Sequence, residues 1–174
     1  MPHATASQTI GPYWHLLEDK DWTDLTRFGA QGERIALTGR IIDGDGALVT
    51  DACVELWQAS PAASDQWDGF GRAATDKQGE FRFVTLKPGP VPVSPGGNVM
   101  QAPHMALAVF ARGLLTHLHT RVYFQGEALN AQDPLLCALP DTRRGTLIAQ
   151  EQAPSLWRLD IVLQGDGETV FLDV

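Results

Sequence analysis

The sequence predicts an all-β fold: a single-domain two-sheet β-sandwich with long loops and an N-terminal arm. Seven or more short segments alternate apolar and polar residues with a period of two, as half-buried strands do. Turn-forming Gly, Asp and Pro separate these segments, and no stretch has the periodicity of an amphipathic helix. We therefore predict one domain over residues 1–174, with the arm and a loop over residues 1–34.

The N-terminal arm ends in a turn that two aromatic residues follow. Gly11 and Pro12 are a turn signal, and Tyr13 and Trp14 come directly after it. Large aromatic side chains favour burial. We expect this arm to pack on its own domain or on a neighbouring chain.

The remaining chain divides into predicted strands and loops. The predicted strands are 35–41, 53–58, 81–86, 105–112, 118–124, 159–163 and 169–172. The acidic Gly-containing turns at 43–46 and 164–168 predict hairpins, the second of which joins the last two strands. Residues 59–71 are predicted to be loop, and residues 130–156 show little pattern beyond a short helix near Pro134.

Charge and composition exclude several classes of partner. The formal net charge is −8, whereas nucleic acids and anionic membranes are bound by clustered Lys and Arg. No apolar run approaches the roughly 20 residues that span a bilayer. The N-terminus lacks the basic start and apolar stretch of a secretory signal. We expect no nucleic-acid partner, no membrane attachment and a cytoplasmic location.

A rigid loop precedes one of the apolar strands. Pro88, Pro90 and Pro92 fall within five residues, which excludes a helix because each ring removes a backbone donor. The loop must be extended, and the chain after it reaches His104 at the beginning of a strand. Functional groups often lie on loops held by a stiff scaffold, so His104 is a candidate site residue.

Several motifs, in order and spacing, resemble those of the intradiol ring-cleavage dioxygenases. They are Val54-Glu55-Leu56-Trp57-Gln58-Ala59, Gly69-Phe70-Gly71-Arg72, Leu86-Lys87-Pro88-Gly89-Pro90, Pro103-His104, Thr120-Arg121-Val122-Tyr123-Phe124 and Asp133-Pro134. One such motif would be weak, but this many in order along almost the whole chain is a specific resemblance. It implies a β-sandwich and an enzyme that opens catechol rings between the two hydroxyl-bearing carbons.

The metal ligands that the resemblance implies are missing. Members of the family hold ferric iron with two tyrosines and two histidines. Here the loop tyrosine position is Val91, the second histidine position is Ala106, and the earlier loop, 59–70, contains no tyrosine. The arginine position before the histidines is Gln101. His104 is a remnant ligand position, and one imidazole does not hold ferric iron, so we predict no metal in this chain.

One branch of the family explains this loss. It pairs an iron-free α chain with a homologous iron-bearing β chain, in a higher oligomer of αβ pairs. Resemblance to the α chain implies Fe(III) in the holoenzyme, bound by the β chain, and a complex that converts protocatechuate and O2 to 3-carboxy-cis,cis-muconate in aromatic catabolism. No catalytic residue is then expected in this chain. The residues expected at the rim of the partner's substrate pocket are Thr9, Gly11, Pro12, Tyr13 and Arg112.

The residues leave some alternatives open. Arg112 ends a strand predicted to be mostly buried, where a charge needs a partner. It meets either the carboxylate of a benzoate-type substrate or an acidic side chain of its own chain. His117 and His119 are either a metal pair or hydrogen-bonded histidines, and the second is favoured because no third ligand is near in sequence. For the whole chain, the alternative function is a non-enzymatic β-sandwich binding or structural module.

Overall fold

The computed structural model describes residues 9–11, 13–17 and 20–173, and strands dominate this part of the chain. The strands are β1 Arg34–Ile42, β2 Cys53–Trp57, β3 Phe70–Ala74, β4 Glu80–Leu86, β5 Val91–Pro92, β6 Met100–Gln101, β7 His104–Phe110, β8 Leu118–Phe124, β9 Ile148–Ala153, β10 Leu156–Arg158 and β11 Ile161–Val162. The α-helices are α1 Pro134–Ala138 and α2 Asp141–Arg144, and the 3₁₀ segments are Trp14–Leu17, Lys20–Thr23, Ala128–Ala131 and Gly145–Leu147. The predicted all-β class is confirmed.

Within the described residues, hydrogen bonds join nine strands into one sheet. Its order is β11-β1-β10-β9-β8-β7-β2-β3, and β4 pairs with the other edge of β1. Ile35 and Leu37 of β1 belong to the same buried cluster as Val54 and Leu56 of β2. Because strands far apart in the order share one core, the sheet curls around that core and is nearly closed.

The turn at 43–46 forms, and the chain after it folds back antiparallel on the end of β1, with Ile42 opposite Leu48, but the turn does not pair β1 with β2. The carboxylate of Asp43 accepts hydrogen bonds from the amides of Asp45 (2.9 Å) and Ala47 (2.8 Å). β1 pairs instead with β4, and β2 pairs with β3 and β7. The turn depends on local side-chain hydrogen bonds, whereas the pairing depends on which apolar faces fit the core.

The predicted final hairpin is not formed by residues 159–172, all of which the structure describes. β11 lies parallel to β1, with Ile41 opposite Ile161. The amide of Thr169 does donate to the carbonyl of Val162 (2.9 Å). The chain then crosses to β8, where the amide of Leu172 donates to the carbonyl of His119 (2.8 Å).

Five strands, β3, β5, β6, β9 and β10, were not predicted from the sequence. β9 exposes four consecutive residues, 150–153, so it lacks the alternation of a half-buried strand. β3 contains Gly71, where a Cβ would lie 2.4 Å from the side chain of Leu25. A glycine within a strand weakens the apparent pattern, yet here it permits a close approach. The short helix predicted near Pro134 is confirmed as α1.

The proline loop is extended, as predicted, and is fixed at several points. The amide of Gly89 donates to the hydroxyl of Ser60 (3.0 Å). β5 pairs with β6, which places Val91 opposite Gln101. The loop therefore brings position 91 to the chain segment that leads into β7. None of the helices within the described ranges has the length and apolar character needed to cross a bilayer.

Candidate functional site

The first site lies where β7 begins, and we call it the His104 site: Gln101, His104, Ala106, Arg121, Tyr123 and Asp133. In the antiparallel pair of β7 and β8, His104 is opposite Tyr123 and Ala106 is opposite Arg121. Side chains alternate along a strand, so these four residues share one face of the sheet. The family's two histidine positions are therefore adjacent on a face that also carries a phenol and a guanidinium.

The imidazole of His104 is held by its backbone surroundings. Its Nδ1 lies 2.8 Å from the carbonyl oxygen of Ala102, and its ring centroid is 5.5 Å from that of Tyr123. Burial lowers the pKa of His104 below its ordinary value, the bond to Ala102 opposes this, and the charge of Arg121 adds to it. Because a carbonyl only accepts, Nδ1 carries the proton and Nε2 of the neutral ring carries the lone pair.

Asp133 is fully buried and is the structural centre of this site. One carboxylate oxygen accepts from the amide of Ala102 (2.8 Å), and the other accepts from the hydroxyl of Tyr123 (3.0 Å). The second oxygen also caps α1 through the amides of Leu135 (2.9 Å) and Leu136 (3.1 Å). A buried carboxylate requires such partners. Asp133 thus ties α1 to the beginning of β7 and to β8.

Arg121 closes the network on the side of Gln101. Its Nη1 donates to Oε1 of Gln101 (2.7 Å) and to the hydroxyl of Tyr123 (3.2 Å). Burial raises the pKa of Tyr123 to about 12, although the hydrogen bond from Arg121 opposes that rise. Tyr123 is therefore a neutral phenol at physiological pH, not a phenolate donor.

These residues do not fit a ferric ion. Ferric iron in this family requires several hard, anionic oxygen donors beside its histidines. The site offers one imidazole, an alanine at position 106, a neutral phenol and a guanidinium, and position 91 beyond it is a valine. Its one carboxylate, Asp133, already accepts hydrogen bonds at both oxygens. Within the described residues, no three or more His, Cys, Asp or Glu side chains are grouped so as to hold a metal ion. No reaction step is therefore assigned to a metal in this chain.

The second site lies at the other end of β7, and we call it the arm site: Thr9, Gly11, Tyr13, Asp51 and Arg112. The hydroxyl of Thr9 donates to the carbonyl of Ala111 (3.2 Å), so the arm lies beside Arg112. The indole of Trp14 donates to the carbonyl of Asp51 (3.2 Å). Gly11 adopts a φ of 76°, which favours glycine. Pro12 lies outside the described residues.

Arg112 forms an ion pair with Asp51 of its own chain through Nε. β7 is mostly buried, as expected, but it ends at Phe110, so Arg112 lies beyond the strand and its side chain is 68% exposed. The two residues border an open cavity of about 450 Å³, together with Leu114 and Leu163. The alternative of an acidic partner within the chain is therefore realised, and the exposed guanidinium also faces solvent.

Tyr13 is 74% exposed, so its ring does not pack on its own domain, and the other expected packing, on a neighbouring chain, stays a prediction. Trp14, by contrast, is partly buried. An exposed aromatic beside the arm site is the kind of residue that protein interfaces bury. The structure therefore places Thr9 against Ala111, the residue before Arg112, while Gly11 and Tyr13 follow Thr9 along the arm.

His117 and His119 form an aromatic row with Phe110. The ring of His117 stacks on that of Phe110, with 4.9 Å between the ring centroids, and contacts the ring of His119 edge-on, with 4.5 Å between the centroids. Burial and the neighbouring His117 lower the pKa of His119, and Glu55 opposes this. Glu55 itself pairs with Arg72, its cross-strand neighbour, whose Nε donates to Oε1 of Glu55 (3.0 Å).

The sequence indicates the site residues better than it indicates their hydrogen-bond and ion-pair partners. Asp133 was noted only as part of a motif, although Asp before Pro is a helix-start signal that points to a capping carboxylate. Asp51 carried no such signal. Neither did the contact of Arg121 with Gln101, because it joins two different strands of the fold.

Comparison with known proteins identifies the family of this chain. The family model described as "Dioxygenase" matches residues 10–165, and the chain belongs to this family, the predicted intradiol dioxygenases. The chain is 40% identical to the protocatechuate 3,4-dioxygenase alpha chain of Pseudomonas putida, over 97% of this chain and 96% of that one. It is 35% identical to the protocatechuate 3,4-dioxygenase beta chain of Burkholderia cepacia, over 94% of this chain and 77% of that one.

Solved structures share the fold. The dioxygenase domain of a dioxygenase carbohydrate-binding protein fusion from Streptomyces sp. SirexAA-E superposes with a TM-score of 0.62 at 24% identity. The match covers 85% of this chain and 88% of that one. At this identity the likeness concerns the arrangement of the strands alone.

Proposed function

We propose that this chain is the alpha chain of a protocatechuate 3,4-dioxygenase, paired with a homologous beta chain that holds Fe(III). One observation carries the proposal. The chain is similar over its whole length to an alpha chain, while its ligand positions carry Val91 and Ala106 beside the cation Arg121. A chain with these side chains supplies structure and contacts, and the reaction takes place in its partner.

In this proposal the complex adds both atoms of O2 to protocatechuate. The bond between the two hydroxyl-bearing ring carbons breaks, and each of these carbons gains one oxygen atom. The product, 3-carboxy-cis,cis-muconate, retains all carbons of the substrate, and no external reductant is consumed. The pairs assemble into a higher oligomer of αβ units.

The arm site is this chain's contribution to the partner's pocket. Thr9, Gly11, Pro12, Tyr13 and Arg112 lie at its rim in this proposal. Arg112 pairs with Asp51 through Nε and its side chain stays 68% exposed, so in this proposal the guanidinium is accessible to the substrate carboxylate. The exposed ring of Tyr13 supports contact with a neighbouring chain.

We also propose that the chain is one domain whose curled sheet packs as the two layers of a β-sandwich. The support is the shared core, in which side chains from β1 and β4 join those from β2 and β7. Layers that bury one face each against a common core are the usual solution for antiparallel sheets.

Co-expression with an iron-bearing beta chain tests the proposal. We expect the two chains to copurify and the complex to consume O2 when protocatechuate is added, while this chain alone consumes none. The alternative, a non-enzymatic β-sandwich module, predicts no copurification and no effect on the activity of the beta chain. Ring cleavage by this chain in isolation would overturn the proposal.

A further inference from the structure

Arg121 lies on the sheet face that carries the family's two histidine positions, 104 and 106. Its strand position is directly opposite Ala106, the position at which the family carries its second histidine. Its Nη1 reaches Gln101, whose cross-strand partner is Val91, the position of a missing tyrosine. The guanidinium therefore contacts one altered position, Gln101, directly; a second, Ala106, is its cross-strand neighbour, and the third, Val91, is opposite Gln101.

We propose that Arg121 takes the electrostatic place of the metal and excludes metal cations from the His104 site. The proposal concerns this chain's own sheet face and does not depend on pairing with a beta chain. If this is so, restoring the lost ligand residues is not sufficient for metal binding. The fixed positive charge of Arg121 still repels a metal cation from the site.

The guanidinium is held in place by a chain of hydrogen bonds that ends in a buried anion. Arg121 donates to the hydroxyl of Tyr123 (3.2 Å), and this hydroxyl donates to Asp133 (3.0 Å). Asp133 is fully buried, so its negative charge needs a nearby positive charge. Arg121 supplies that charge through Tyr123, in the way that a bound cation would.

A guanidinium suits this role for two physical reasons. It stays protonated at any pH that the protein tolerates, so its charge cannot be removed to admit a metal. Its donors also engage the oxygen atoms of Gln101 and Tyr123 that would otherwise face a cation. Both effects act against Fe(III) and against divalent ions, and the repulsion increases with the charge of the ion.

Restoring ligands in the presence and absence of Arg121 tests the proposal. Val91→Tyr with Ala106→His rebuilds three donors with His104 in the full chain, and the same pair is then combined with Arg121→Gln. We expect Co2+ and Fe3+ to bind at least about 30-fold more tightly when Arg121 is replaced. Binding is measured by the visible absorption of each ion in competition with a chelator, without reference to enzyme activity.

Two control variants separate charge from shape. Arg82→Gln removes an exposed arginine of β4 and should leave metal affinity unchanged. Arg121→Lys keeps the charge but not the planar fork, and should exclude metal nearly as well as Arg121. If Arg121→Gln does not fold, Asp133→Asn is added to it, because this second substitution removes the buried carboxylate that has lost its positive partner. The double variant then replaces Arg121→Gln in the same comparison.

Two results would overturn the proposal. The first is equal metal affinity of the ligand-restored chain with Arg121 and with the Arg121→Gln substitution. The second is metal affinity that is equally high when the ligand-restored chain carries Arg121→Lys and when it carries Arg121→Gln. That result would show that the positive charge does not exclude the metal. The proposal is supported if the ligand-restored chain binds metal tightly only with Arg121→Gln and if Arg82→Gln has no effect on metal affinity.

Discussion

The hydroxyl of Tyr123 donates a 3.0 Å hydrogen bond to the buried carboxylate of Asp133, and this contact joins β8 to the N-terminus of α1. The same carboxylate receives the amide of Ala102 at the beginning of β7. A single acidic side chain therefore positions three elements around His104. We therefore expect the position of His104 to depend on the hydrogen bonds of Asp133.

Replacing Asp133 tests this dependence. Asp133→Ala removes the cap of α1 and leaves buried and partly buried donors without their acceptor. We expect it to lower the free energy of unfolding by about 3–5 kcal/mol, and Tyr123→Phe by about 1–2 kcal/mol. Urea denaturation of the full chain measures both values. Asp166→Ala, in an exposed turn, is the matched control, and an equally small effect of Asp133→Ala would contradict the assignment.

Acidification should destabilise the chain through His104. Burial places its folded-state pKa below the ordinary 6.5, so the unfolded chain binds more protons between the two values. Stability then rises with pH across that window and is lost as the pH falls below about 6.5. Urea denaturation between about pH 7.5 and about pH 5.5 should show this fall.

His104→Asn should reduce that pH dependence, because the neutral amide can still donate to the carbonyl of Ala102. His117→Gln, a histidine outside the His104 site, is the control. An unchanged pH profile in His104→Asn would exclude His104 as the titrating group.

The amino group of Lys87 lies 3.9 Å from the ring centroid of Phe124 and 4.0 Å from that of Trp157. Its side chain is 14% exposed, and Glu127 is 3.4 Å away. We expect Lys87→Met, which keeps the aliphatic stem, to destabilise the chain by about 1–2 kcal/mol through loss of the cation–π contacts. Thermal denaturation compares it with Lys77→Met in an exposed turn. Equal melting temperatures of the two variants would refute a role for the aromatic pair.

Arg112→Ala should affect the substrate rather than the fold. In the co-expressed complex we expect the KM for protocatechuate to rise by roughly 10-fold or more, a loss of about 1.4 kcal/mol of binding. Steady-state O2 uptake measures it, with Arg82→Ala as control. If KM stays unchanged and only the exposed ion pair with Asp51 is lost, Arg112 has no place in the pocket.

The purified chain alone should be colourless. Charge transfer from phenolate to ferric iron requires tyrosine ligands, and positions 59–70 and 91 carry none. Visible absorption and an iron assay of the isolated chain and of the complex check this, with iron expected in proportion to the beta chain. A coloured isolated chain with stoichiometric iron would refute the alpha-chain assignment.

Much of the site could be predicted from the sequence. The altered ligand positions Val91 and Ala106 follow from the order of the motifs, and α1 follows from the Asp133-Pro134 pair. The partners of the charged residues could not be predicted. Arg112 meets Asp51, and Arg121 meets Gln101, only because separate strands bring them together. The spacing of residues along the chain does not predict such contacts.

The sequence by itself determined the strand class, the apolar face of most strands and the replacement of the family's ligand residues. These properties depend on residue type and on the two-residue period of a strand. Only the tertiary structure decided that β1 pairs with β4, β10 and β11, and that a guanidinium fills the His104 site. Backbone hydrogen bonds are the same for nearly every residue, so the choice of neighbours comes from packing of the whole core.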